Sequence, residues 1–252
     1  MSTVVAPPAP SPEPAQPSLS AISRIFGVFF SPKATFQDIV RKPSWLPPIV
    51  VLTLLSLAVS FSLNQRVDWR EVASQRIEKN SRASQLSPEQ KEQQLALTAK
   101  ISPAITYCFG LLAPVLGALV IALIMMGAYN LMAGAGVNYG TSLAITSHAF
   151  LPGLLSSLIF LLVVWVKPPG TLDLDNPVAT NVAAALPEGT APWLLALSKN
   201  IDIFVFWTLI LISIGFAVAS PKKLKGGTAF TIAFSALALW VVLRAGTAFI
   251  FS

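Results

Sequence analysis

The chain has 252 residues, of which 54% are hydrophobic and 11% charged, where soluble domains carry about 25% charged residues. That balance cannot supply a soluble surface, so a soluble globular domain is excluded. The net charge of +6 is spread over flanks and loops without interleaved aromatics; this excludes a nucleic-acid interface and fits attraction to anionic lipid headgroups.

Residues 1–20, MSTVVAPPAPSPEPAQPSLS, are rich in Pro, Ala and Ser and read as a disordered tail. No basic cluster precedes an apolar run there, so they do not form a secretory signal. The next ten residues, AISRIFGVFF, are apolar but too short to span a bilayer. Ser31-Pro32 is a helix-start pair, and the helix it opens places Phe36, Ile39 and Val40 on one side. Lys33, Gln37, Arg41 and Lys42 lie on or beside its polar face, and Pro43 stops it. An amphipathic helix with a basic rim suits the membrane interface. The same apolar face would equally suit packing against a transmembrane bundle, and both readings stand.

Trp45 marks the interface ahead of the first span, about 46–63, whose Pro47 and Pro48 fall in its first turn. Residues 64–103 are the longest polar stretch, with seven Lys/Arg and five Asp/Glu, and read as a largely helical loop. Ser87-Pro88-Glu89-Gln90 fits a capping box, and Glu78 with Arg82 has helical pair spacing. The second span covers about 104–132, with Pro114 as a kink site and Gly110 and Gly117 as surfaces for close packing. An uncharged loop follows, and the third span runs about 147–166. Residues 168–200 make a second loop, with a short helix over Ala191 to Ser198. The fourth span is about 202–219, the basic turn SPKKLKGG follows, and the fifth span is about 228–250.

The fold class expected is therefore an all-α polytopic membrane protein. Its five transmembrane helices form one domain over 21–252, and an amphipathic interfacial helix leads into them. Lys222, Lys223 and Lys225 in a short connection, with Arg24, Lys33, Arg41 and Lys42, place the N-terminus in the cytoplasm and the C-terminus outside. The seven basic residues of 64–103 then fall outside, against the rule; that loop is long and mixed in charge.

Four segments carry a family resemblance in order along the chain: SPKATFQDIVRKPSWLPPIV, LSPEQ, AYNLMAGAGVNYGTSLAITSHAFLP and KNIDIFVFWTLILISIGFAVAS. Over roughly residues 24–250 the chain resembles the Yip domain family, Ypt/Rab-interacting-protein-like polytopic membrane proteins, in its bacterial form. The resemblance implies a five-helix bundle in the bacterial inner membrane with a cytoplasmic N-terminus. Eukaryotic relatives are linked to Rab GTPases and vesicle traffic, a role that does not carry over to a bacterial-type member. It implies no catalytic residue.

Chemistry at membrane depth needs ionisable or polar groups there. Arg244 in the fifth span reads as snorkelling, pairing or touching a headgroup. His148 stands alone, with no second ligand at metal spacing, and reads as an interfacial histidine. Asp202 opens the fourth span as a favourable N-terminal carboxylate, and Asn130, Asn138 and Tyr139 are candidates for hydrogen bonds between helices. The sequence has no HExxH, GxSxG, P-loop or CxxC and implies no cofactor and no metal. It points to a non-enzymatic scaffold or adaptor, with Phe36, Ile39, Lys33, Arg41, Lys42 and Trp45 facing membrane or a protein partner. A small-solute permease or channel is the alternative, and homo-oligomerisation stays open.

Overall fold

The computed structural model describes residues 18–78, 86–168, 170–187 and 189–250. Most of the proline-rich tail and the Glu78–Arg82 pairing fall outside them. The described residues form helices α1 (Ala21–Phe30), α2 (Pro32–Arg41), α3 (Leu46–Arg66), α4 (Trp69–Glu78) and α5 (Pro88–Ala133). They continue with α6 (Tyr139–Ala149), α7 (Pro152–Val166), a 3-10 turn at Val182–Ala185, α8 (Pro192–Ser198), α9 (Ile203–Ala219) and α10 (Gly226–Ile250).

Among the described residues, four segments are long and apolar enough to cross a membrane: Leu46–Arg66, Pro88–Ala133, Tyr139–Val166 and Gly226–Thr247. At 17 residues α9 is shorter, about 26 Å at 1.5 Å per residue, which matches the short limit for a span. With α9 as the fourth crossing, two sides follow. The near side carries α1, α2, the loop after α5 and the turn after α9. The far side carries α4, the start of α5, the loop after α7 and α8.

The surface is apolar where that of a soluble protein would be polar, and the core is largely apolar as well, with one polar helix inside it. Large apolar side chains such as Phe109, Leu116 and Leu123 on α5 and Leu239, Val242 and Leu243 on α10 are exposed, as a lipid-facing wall requires. Every residue of α6 from Thr141 to Ala149 is buried, and that run, TSLAITSHA, is more than half polar. Ser142 donates to the Ala122 carbonyl of α5 at 2.7 Å, as Tyr139 does to that of Leu119 at 3.0 Å, while Ser147 Oγ and His148 Nδ1 bond back to the Ala144 carbonyl within α6. Around α6 the core gathers Val28 and Phe36, Met125 and Tyr129, and Ile212 and Phe216. Tyr129 stacks on Phe216 with ring centroids 4.0 Å apart and donates to the Ala229 carbonyl at 2.7 Å, joining α5, α9 and α10. Gly215 is where α9 comes closest to α6 and α2, since a Cβ there would collide with Ile145 and press on Phe36.

Two sequence boundaries move. The polar helix and the second span are one continuous helix, α5, of 46 residues with Pro103 and Pro114 inside it. Side chains of α3 bond to carbonyls around Pro103: Asn64 donates to that of Pro103 at 3.3 Å and Ser60 to that of Thr106 at 3.0 Å. The capping box at Ser87 and Gln90 forms, and Gly134 in the left-handed region (φ 58°) ends the helix. The third crossing starts at Tyr139 rather than Ser147, because Asn138 caps α6 through the Thr141 amide at 2.9 Å. It breaks only at Phe150–Leu151, before Pro152 opens α7.

Candidate functional site

The near side is built around one buried ion pair. Ser20 caps α1 by accepting from the Ser23 amide at 3.1 Å, and the helix turns Arg24 and Val28 inward. Ser31 opens α2 without a side-chain bond to the helix, and Pro32 takes the first helical position. The α2 helix turns Thr35, Phe36, Asp38 and Ile39 inward. Gly27 lets α1 close on α2, since a Cβ there would collide with the Thr35 hydroxyl. Arg24 and Asp38 then meet at 2.8 Å, their side chains 4% and 6% exposed.

The pair is fully elaborated. Arg24 also donates to the Ser44 hydroxyl at 2.7 Å and to the Lys42 carbonyl at 3.0 Å, which ties α1 to the linker before α3. Asp38 accepts in addition from Arg41 at 2.6 Å and from the Leu19 amide at 3.1 Å. Burial by itself would push the Asp38 carboxyl up; the hydrogen bonds from Arg24 and Arg41 outweigh it and hold the group below the usual carboxylate range. A buried pair with its remaining valences filled fixes one geometry, and loss of either partner strands a charge.

With that inner face locked, α1 presents Ile22, Phe26 and Phe30 outward at four-residue spacing, and Phe30 is 83% exposed. Phe29, on the flank, packs edge-on against Trp207 of α9 at 5.6 Å. The stripe is an apolar face that no described residue covers. Lys33, Arg41 and Lys42 are exposed beside it, and Trp45, 39% exposed, precedes the first turn of α3.

The residues singled out from sequence scatter. Phe36 and Ile39 are fully buried against α6 and α9, so of the two readings of α2 it is the bundle-packing one that describes them. They face neither membrane nor partner. His148 is not interfacial: it is fully buried in α6, with Nδ1 at 2.8 Å from the Ala144 carbonyl and Nε2 without a partner. Asn130, in the last turn of α5, bonds to the loop that follows, at the carbonyl and amide of Val137, both at 2.9 Å. Asp202 caps α9 through the amides of Phe204 and Val205 and accepts from Thr180 at 2.5 Å. Arg244 is exposed on α10. None of these four joins another in one site. Sequence reasoning missed Asp38 and the α1 stripe; the latter was readable as apolar residues at positions 22, 26 and 30.

Two cavities of similar size lie on opposite sides. On the near side a cleft of about 610 Å³ lies between α2, α9 and α10, with Lys33 and Gln37 at its edge. On the far side an open cavity of about 620 Å³ is lined by Ser56, Ser156, Ser157 and Thr208, with Lys199 and Asp202. Among the described residues no cluster of three or more His, Cys, Asp or Glu has metal-binding geometry.

A family model described as the Yip1 domain matches residues 26–245. Neither curated proteins nor solved structures give a match.

Proposed function

The chain belongs to the Yip1 domain family, and from that premise we propose a non-enzymatic, membrane-organising scaffold of the cell membrane. Its N-terminus and near side face the cytoplasm in this reading. The observation that carries the proposal is the α1 stripe, an uncovered apolar face on a helix that cannot shift because Arg24 and Asp38 lock its other side. Such a helix enters the headgroup–acyl boundary of one leaflet, while Lys33, Arg41 and Lys42 draw it to anionic lipid. Area added to one leaflet at a fixed place on a rigid bundle biases membrane shape. The orientation is supported by basic charge on the near side: Arg24, Lys33, Arg41, Lys42, Lys222, Lys223 and Lys225 against Asp38, the one acid there among the described residues. The non-catalytic reading rests on the absence of nucleophile, base and metal motifs from the sequence.

The test is reconstitution in large vesicles containing phosphatidylglycerol, with membrane curvature read by electron cryomicroscopy. Wild type is expected to narrow the vesicle distribution toward higher curvature. The triple variant Ile22→Asp, Phe26→Asp, Phe30→Asp should fold and leave the vesicles unchanged. Equal remodelling by both proteins would sink the scaffold reading. A discrete set of protein neighbours lost from the triple variant in proximity labelling would move the role to an adaptor.

One observation favours a second reading, a small-solute permease or channel: the far-side cavity gathers hydroxyls from α3, α7 and α9 that look scattered in sequence. Solute flux into proteoliposomes that falls in Asp202→Asn and Ser156→Val would support it; Arg244 lies outside that cavity, so Arg244→Ala should leave such flux unchanged.

A further inference from the structure

We propose that the near-side cleft between α2, α9 and α10 is a stoichiometric binding site for one anionic phospholipid, with an acyl chain in the cleft and the phosphate at Lys33 and the basic turn.

The cleft has the chemistry of a split ligand. One wall is a single face of α9, on which Ile210, Ile214, Ala217 and Val218 follow at three- and four-residue spacing. That face runs about 12 Å along the helix axis, from mid-span to the near side. Phe230 of α10 forms the opposite wall, and Leu224 lies toward the mouth. The one hydroxyl in the wall, Ser213, already donates to the Leu209 carbonyl at 2.7 Å. The interior therefore asks for hydrocarbon and offers no free polar group. At about 610 Å³ it falls within the usual range for small-molecule sites.

The mouth has the opposite character. Lys33 lies in the first turn of α2, where the helix dipole disfavours a cation, so its charge is not compensated locally. The cleft also reaches Gly226, the first residue of α10, and the start of a helix favours an anion. The turn that closes the mouth, Pro221 to Gly226, carries exposed Lys222 and Lys225. Asp38 is committed to Arg24 and Arg41, so no carboxylate competes for these charges among the described near-side residues. An apolar slot open at the bilayer boundary with unneutralised cations at its rim complements an anionic lipid, and a zwitterionic one less well.

The inference shares with the scaffold reading only the attraction of this side for anionic lipid; it needs neither α1 insertion nor membrane bending. Native mass spectrometry of the full chain, purified in detergent doped with phosphatidylglycerol or phosphatidylcholine, tests it. One phosphatidylglycerol retained per chain is expected, with phosphatidylcholine retained several-fold less. Lys33→Ala, an exposed change that leaves the bundle intact, should lower phosphatidylglycerol retention about fivefold, and Lys33→Ala with Lys222→Ala further still. Ala217→Phe should displace both lipids; Ile210→Trp, at an exposed position of the same wall, serves if that variant does not fold. The α1 triple variant should retain phosphatidylglycerol as wild type does. Equal retention of the two lipids, no effect of Lys33→Ala, or loss only in the α1 variant would each overturn the site. The scaffold reading fails independently, on vesicle shape.

Discussion

Two arginine–carboxylate pairs of nearly the same length stand on opposite sides of this protein. On the near side Arg24 and Asp38 meet at 2.8 Å, both buried. On the far side Arg70 grips both oxygens of Glu92 at 2.6 and 2.7 Å, with more than half of each side chain exposed. Geometry alone ranks the second pair higher; environment reverses the ranking. Water and salt screen the exposed pair, which raises the Arg70 pKa through the Glu92 hydrogen bond and fixes nothing else. The buried pair holds two helices and a linker, because any other arrangement would leave a charge stranded.

The largest way to break the contrast is Asp38→Ala. It leaves Arg24 buried and unpaired, and the expected cost is about 3–5 kcal/mol, read as a fall in Tm and release of α1 to protease. Arg24→Met with Asp38→Leu removes both charges and should recover most of that loss, which separates a stranded charge from lost packing.

Acid titrates the same contact. The Asp38 pKa is depressed on folding, so its stabilising contribution is fully present above the unfolded value of about 3.9 and is lost as pH falls through the lower folded value. A nitroxide on α1 should stay immobilised from neutral pH down to about 4 and loosen below that.

Packing sharpens the comparison next. Gly215→Val drives a side chain into Ile145 and Phe36 under the near-side helices and should cost about 1–3 kcal/mol. Two glycines of α5 that look alike in sequence separate here. Gly110 abuts Ser60 and the Ser56 carbonyl of α3, whereas a Cβ on Gly117 meets nothing within 4 Å. Gly117→Ala should therefore raise stability by up to about 1 kcal/mol through helix propensity, and Gly110→Ala should lower it. The smallest effect belongs to Arg70→Ala, for which no measurable change in Tm is expected.

The crossings were legible because hydropathy over about twenty residues is a strong signal, and the capping box at Ser87 and the stop at Pro43 are local chemistry. The start of the third crossing was not. Thr141, Ser142 and Thr146 fell before the span expected from Ser147, and they are polar, like Ser147 and His148, because α6 is the helix wrapped by others rather than by lipid. Pro103 looked like a boundary, yet Asn64 and Ser60 of α3 serve carbonyls beside it. The amphipathic pattern of α2 identified an inward face without saying what covers it, and Phe36 and Ile39 turned out to be core. Making them charged would test packing, so a functional variant has to be drawn on α1. Arg24 read as a topogenic charge because its partner lies fourteen residues away on another helix, a spacing with no local signature.

The central claim is that a locked α1 rests its outer stripe in the bilayer boundary. Its most direct test is a nitroxide at position 26 in the Cys108→Ser background, with one at exposed position 42 as reference, in reconstituted bilayers. Power saturation compares collisions with oxygen, which partitions into lipid, and with a water-soluble nickel chelate. The account predicts high oxygen and low nickel accessibility at position 26 and the reverse at 42. Nickel accessibility at position 26 equal to that at 42 would contradict it.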